Sequence, residues 1–321
     1  MTQPLHRRDF LATSAAVSAG LVLAGRLPAA EYRTKLKKAL IGKPDQETLK
    51  SWKDAGFDGI ESSDRKVSVE DAAAARKAAD KLGMRIHALL FGWANFNSPD
   101  TSKVAEDVAA VEASLKAAGA YGADAVLLVP CKVGSMPMPE AWEFEIEFDE
   151  KTGMVQKVAA GDNAKYKEYI EAQNHATKAS RAIVEKLIPV AEKARVVIAL
   201  ENVWNNLWVK PTLFRNFVAS FDSPWVQAYF DIGNHVKYAP AEDWIRTLGK
   251  LIVKCHVKDF LLNSDGHGGK FVDIRDGSVN WPVVRQALED VGYSGFMTIE
   301  GSGGLSLEEK SKRLDLIFAG K

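Results

Sequence analysis

Four acidic or imidazole side chains recur at one kind of position in the second half of the chain, the end of a short apolar run. Val197-Ile198-Ala199-Leu200 leads to Glu201, Ala228-Tyr229-Phe230 to Asp231, Ile252-Val253-Lys254-Cys255 to His256, and Met297-Thr298-Ile299 to Glu300. Two glutamates, an aspartate and a histidine form an oxygen-rich donor set with one nitrogen. Such a set suits a single divalent ion, Mn²⁺, Mg²⁺ or Co²⁺, and is compatible with Zn²⁺. Any one of them alone reads as an ordinary charged group where a strand meets a loop. Four in succession resist that reading, because charged residues are seldom set at a core boundary without partners.

For these groups to meet, the runs that carry them must be neighbouring parallel strands. Strand-like runs are expected at 36–41, 57–61, 84–90, 123–129, 195–201, 225–231, 251–257 and 296–300. Helical patterns are expected at 46–55, 70–82, 103–121, 165–194, 211–219, 241–248, 281–291 and 307–318. Strict alternation of strand and helix predicts a parallel sheet, since parallel strands need a long return. Eight such units predict an α/β fold closed as a (β/α)₈ TIM barrel, whose strand ends converge on one catalytic face. An open doubly wound sheet would want a Gly-rich phosphate loop after the first strand; Ile41-Gly42-Lys43-Pro44 stands there instead. Residues 133–162 break the rhythm: Trp142 to Phe148 alternates apolar and polar side chains, and Asp149 to Gly153 supplies a turn. A β-hairpin inserted after the fourth strand is expected, serving as a lid or as an oligomer contact.

The chain has 321 residues, enough for one such barrel, and 46% of them are apolar. Lys+Arg and Asp+Glu both total 42, a zero net charge that argues against nucleic acid as a partner. Cys131 and Cys255 form no metal-binding spacing and read as buried free thiols. At the amino terminus, Arg7-Arg8-Asp9-Phe10-Leu11 precedes a small-residue apolar run from Ala12 to Ala24 and then Pro28-Ala29-Ala30. Twin arginines before such a run predict a twin-arginine export signal over residues 1–30, hence a periplasmic or otherwise exported mature protein over 31–321. The run is shorter than the about 20 residues of a membrane span, so no stable span is expected in the mature form.

The segments Leu200-Glu201-Asn202, Phe230-Asp231-Ile232-Gly233-Asn234, Cys255-His256-Val257-Lys258-Asp259-Phe260, Asp276-Gly277-Ser278-Val279-Asn280-Trp281 and Thr298-Ile299-Glu300 resemble the sugar phosphate isomerase/epimerase superfamily, the xylose-isomerase-like TIM barrels. The resemblance spans essentially everything after the signal. It implies a carbohydrate substrate and one divalent metal held by Glu201, Asp231, His256 and Glu300. It also implies that Glu201 and Glu300 move a proton alpha to a carbonyl through a metal-stabilised enediolate. Two departures from the ketose 3-epimerases leave the substrate open. Asn234, followed by His235, stands where many carry a histidine, and no arginine follows His256 until Arg275. A keto-sugar or keto-glycoside lyase or hydratase uses the same parts. An endonuclease-like barrel would need more histidines than the six present and a basic groove. A non-catalytic sugar-binding barrel would not need four intact ligands.

Around this set, Glu61 and His87 are expected near the mouth, each with an ordinary structural role as the equal alternative. Lys258 and Asp259 are expected to contact the metal ligands or the substrate, as are Asn234 and His235. Trp204 is the preferred sugar-stacking platform among Trp93, Trp142, Trp204 and Trp208. Asn202, Asn205 and Asn206 could bind hydroxyls or satisfy turn backbone. His267 reads as a solvated loop residue. A homo-oligomer is compatible with everything above.

Overall fold

The computed structural model describes residues 31–321; the expected export signal lies outside the described residues. Eight strands close into an all-parallel barrel. In chain order they are β1 (Leu36–Gly42), β2 (Gly59–Ser62), β3 (Arg85–Trp93), β4 (Ala125–Val129), β7 (Val197–Glu201), β8 (Val226–Asp231), β9 (Ile252–Val257) and β12 (Gly295–Ile299). Their order around the barrel is β1-β12-β9-β8-β7-β4-β3-β2, with β1 also pairing β2. The helices between them are α1 (Gln46–Asp54), α2 (Val69–Lys81), α3 (Thr101–Tyr121), α4 (Lys167–Ala194), α5 (Pro211–Ala219), α6 (Ala241–Leu248), α7 (Trp281–Asp290) and α8 (Leu307–Phe318). Several start on a side-chain cap: Asp45, Ser68, Asp100, Asn280 and Ser306 each accept a backbone N–H of the first turn.

Side-chain alternation sorts the strands' residues into two cores. Ala88, Ala125, Leu127, Val129, Ala199 and Tyr229 fill the barrel interior. Their sequence neighbours Val126, Leu128, Ile198, Leu200 and Phe230 join the larger layer packed against the helices. The same period of two carries Glu201 inward two residues after Ala199, and Asp231 inward two residues after Tyr229.

Two hairpins decorate the barrel. The expected one, β5 (Phe144–Phe148) with β6 (Val155–Ala159), follows β4. It is clamped to the barrel's flank. Asn174 of α4 pairs with the backbone of Val155 through both ends of its amide, Arg181 donates to Thr152 O, and Asn216 of α5 donates to Glu150 O. The second hairpin, β10 (Asp259–Leu262) with β11 (Gly269–Val272), follows β9 at once and was not expected. Its sequence, Asp259 to Val272, is rich in glycine and polar turn residues, which hides a four-residue strand on each side. Among the described residues, no helix is long and apolar enough to cross a membrane. Cys131 and Cys255 are both free and buried, and burial pushes each thiol up to about 12.

Trp208, expected in a loop on the catalytic face, is instead a packing anchor. It is 2% exposed, stacks on Phe217 at 4.1 Å and donates its indole N–H to Thr177. Trp208→Ala is expected to destabilise the fold by about 3–5 kcal/mol, read as a lowered midpoint in chemical denaturation.

Candidate metal centre

Glu201 and Asp231 end β7 and β8, His256 is next to last in β9, and Glu300 directly follows β12. The register sets Asp231 level with His256, with Glu201 opposite Tyr229 and Glu300 two residues past the partner of His256, so the four side chains leave neighbouring strands within two residues of one level. One ligand atom from each falls within 4.8 Å of all the others. His256 Nδ1 is 3.2 Å from Glu300, 3.4 Å from Glu201 and 3.9 Å from Asp231. Asp231 Oδ2 and His256 Nδ1 are buried yet have no hydrogen-bond partner. Buried polar atoms are rarely left so, and two of them converging beside the carboxylates of Glu201 and Glu300 fit a divalent cation.

Each ligand is held from behind. Asp231 Oδ1 accepts the N–H groups of Gly233 and Asn234 at 2.8 and 2.7 Å, which leaves Oδ2 to face the centre. Asn202 braces β7 to β8 by donating to Asp231 O and accepting from Asp231 N. Gly233 must be glycine, because a Cβ there would lie 2.7 Å from the backbone of Lys258. Asn234 donates to Asn202 O at 3.1 Å and reaches Glu201 at 3.5 Å. Its amide oxygen accepts from Lys258 Nζ at 3.2 Å, and that ammonium pairs with Glu300 at 2.8 Å and approaches Asp231 at 3.7 Å.

Glu61 is not at the mouth. It is fully buried inside the barrel, where its Oε2 accepts from His256 Nε2 at 2.8 Å and from the Tyr229 hydroxyl at 2.6 Å. This carboxylate fixes the imidazole ring so that Nδ1 points at the other three ligands, the arrangement that orients a metal-binding histidine. The sequence signal was present, an acidic residue at the end of a strand, but nothing in it tells inward from upward.

Burial and mutual charge then divide the groups. Burial raises the Glu201 carboxyl above the usual range, and it raises Asp231 to about 8 even though Lys258 pulls the other way. Burial also acts to raise Glu300, but His256 and Lys258 beside it outweigh burial and hold it well below that range. For His256, burial alone would favour the neutral ring; Glu61, Glu201 and Glu300 override it and favour the imidazolium. Without a metal, the cluster therefore keeps protons where an ion would sit.

Three further expected contacts are structural. His87 is buried, stacked on Phe296 at 4.1 Å and bonded to the Thr298 hydroxyl, and burial keeps it neutral. His235 is 1% exposed and donates to Val203 O, with its pKa pushed down to about 3 by burial. Asp259 is buried and accepts from Phe260 N, Arg275 N, Val279 N and the Trp281 indole, so it organises the loop after β11 and does not meet the ligands. Asn205 and Asn206 likewise donate to Cys131 O and Val133 O. Trp204 does stand at the rim, 39% exposed, its indole N–H donated to Asn234 O and its ring beneath Lys237 Nζ at 3.6 Å. His267, at the turn of the β10–β11 hairpin, stacks on Trp142 at 4.3 Å and so ties the two insertions together. A cavity of about 500 Å³ opens beside Glu300, bordered by Lys258 and Phe271.

Residues 49–315 match the family described as xylose isomerase-like TIM barrel. The chain belongs to that family. An uncharacterized protein of Methanocaldococcus jannaschii is 29% identical over 124 residues, 36% of this chain and 41% of that protein. The match therefore spans less than half of that curated relative's length. Among solved structures, the apo 3-keto-D-glucoside 4-epimerase of E. coli is similar with a TM-score of 0.64 at 14% identity, covering 88% of this chain and 99% of that one. A xylose isomerase-like TIM barrel protein of Mycobacterium smegmatis, in complex with magnesium, is similar with a TM-score of 0.59 at 18% identity, covering 86% and 87%. At these identities the likeness is one of fold.

Two predictions follow from the centre's wiring. Glu61→Gln, which keeps the shape but removes the charge behind His256, is expected to weaken Mn²⁺ affinity roughly 10- to 100-fold, measured by calorimetric titration. Because Asp231 ionises only near 8 and His256 holds a proton, the metal must displace protons to bind. Raising the pH removes those protons, so affinity should climb from pH 6 to pH 9, with proton release detectable by titration in buffers of differing ionisation enthalpy.

Proposed function

We propose that this protein is a metal-dependent sugar isomerase or epimerase that moves a proton on a carbon next to a carbonyl. The observation that carries the reading is the convergence of Glu201, Asp231, His256 and Glu300, with unpartnered atoms aimed at one point at the barrel's mouth. Family membership supports it, as does the likeness to an epimerase of a keto-sugar derivative.

The four residues would hold the ion; when bound, a divalent cation supplies Lewis-acid polarisation of the substrate's carbonyl and hydroxyl oxygens. Glu201 and Glu300 lie on different strands, with His256 Nδ1 between them at 3.4 and 3.2 Å. A sugar carbon seated over the centre would have a carboxylate on either side, one to take its proton and one to return a proton. Their surroundings differ as that division asks. Glu201 is buried and accepts a proton readily, whereas Glu300 borders the open cavity and is held ionised by Lys258. Proton transfer works best when a group's pKa is tuned by such neighbours. Lys258 and Asn234 would position substrate hydroxyls next to Glu300 and Glu201. Trp204 would offer its exposed ring to the sugar's apolar face.

The test is solvent exchange. Mn²⁺-loaded protein incubated with keto-sugars in deuterated water should place deuterium on the carbon beside the carbonyl. Glu201→Gln and Glu300→Gln should each lower that exchange by about 10²–10⁴-fold while the fold persists. Full exchange in both variants would remove the proton-transfer assignment. Release of an aglycone or of an unsaturated sugar would instead assign a lyase.

A further inference from the structure

The cavity beside Glu300 sets an aromatic wall against an acidic one. Its volume is about 500 Å³, and its walls include Lys258, Phe271, Asp273, Asp276, Glu300 and Ser302. Phe271, from β11, exposes 41% of its surface, lies against Trp204 at 4.9 Å and has Lys258 Nζ 4.9 Å from its ring centre. It presents an aromatic face of the kind that packs on the C–H face of a sugar ring. The other wall is acidic.

Among the described residues that line the cavity, Lys258 is the cation, and it is already committed to Glu300, Asp231 and Asn234. Arg313, close behind, is held by Asp276 at 2.8 Å, by Ile274 O at 2.6 Å and by Glu309 at 3.0 Å. With a divalent ion bound, that ion and Lys258 balance Glu201, Asp231 and Glu300, leaving no surplus positive charge.

The loop after β12 points the same way. In TIM barrels the loops after the last strands frequently receive a substrate phosphate. Here that loop is Gly301-Ser302-Gly303-Gly304, and Ser302 Oγ ties it to Ile274 N of the loop after β11. A Cβ on Gly304 would lie 3.4 Å from Asp273 Oδ2, so a carboxylate stands beside this loop. The first turn of α8 adds Glu308 and Glu309, which already answer the positive end of that helix.

Building on the proposed sugar isomerase or epimerase activity, we infer that Asp273, the cavity carboxylate not paired with Arg313, makes this cavity a subsite for the uncharged, hydroxyl-bearing part of the substrate and excludes sugar phosphates. Hydroxyls donate to carboxylates in charge-assisted bonds, whereas a phosphate ester near pH 7 carries close to two negative charges. Placed against the Asp273 carboxylate, it is repelled by an amount worth about tenfold in affinity.

The experiment titrates the Mn²⁺-loaded full chain with D-fructose and with D-fructose 6-phosphate and reads the ratio of the two dissociation constants. The wild type should favour the free sugar by about tenfold or more. Asp273→Asn should shrink that preference about tenfold, and Asp273→Lys should favour the ester. One Mn²⁺ per chain in each variant shows that the centre is intact. Equal or tighter binding of the ester by the wild type overturns the inference. An unchanged ratio in the variants, or failure of both ligands to bind, overturns it as well. The two readings fail separately. Selectivity without deuterium exchange removes the proton-transfer function and keeps the subsite; exchange without selectivity does the reverse.

Discussion

Three carboxylates and an imidazole packed within 4.8 Å repel or compete with one another unless positive charge stands among them. Much of the upper barrel is arranged around that constraint. Lys258 supplies one positive charge by leaning on Glu300 and Asp231. His256 supplies another when it is protonated, stabilised from below by Glu61, which Tyr229 orients in turn. Neither relieves the orphaned oxygen of Asp231 or the orphaned Nδ1 of His256. A divalent cation relieves both at once, and the fold spends buried hydrogen bonds through Asn202, Gly233 and Asn234 to keep those atoms aimed where it would sit.

The barrel and its four-residue centre were legible because both rest on periodicity. Strands of known direction put their last inward residue on one face, so Glu201, Asp231, His256 and Glu300 could be read from where apolar runs end. Helices with clear apolar faces, such as Pro211–Ala219 and Ala241–Leu248, also fell where the pattern set them. The same rule misplaced Glu61 and His87. Both sit on strands near a register shift, between Ile60 and Glu61 against β3, and the inward-facing side chains there stack below the mouth, inside the barrel. Asp259 and His235 were misjudged for a related reason. Each directly neighbours a residue that contacts the cluster, Lys258 or Asn234, but chain adjacency turns its side chain the other way, into a loop for Asp259 and against Val203 for His235.

The β10–β11 hairpin could not be read because its strands are four residues each and its tip is glycine-rich, leaving no alternation to count. Yet it contributes Phe271 to the cavity and His267 to the contact with Trp142. Strand ends thus bring this chain's four side chains together, while the loops that follow them, least periodic in sequence, shape what the cluster meets. Fold is shared across many chemistries, and the distinguishing information lies in such grafted segments.

The central claim is that these four side chains bind one ion together, with His256 turned so that Nδ1 is the ligand. Crystals grown with Mn²⁺ and measured for anomalous scattering test it most directly. A single peak about 2.0–2.3 Å from Nδ1 of His256 and from oxygens of Glu201, Asp231 and Glu300 is the result expected, with Glu61 still bonded to Nε2. A peak elsewhere, or an imidazole bound through Nε2 with Glu61 released, would contradict it.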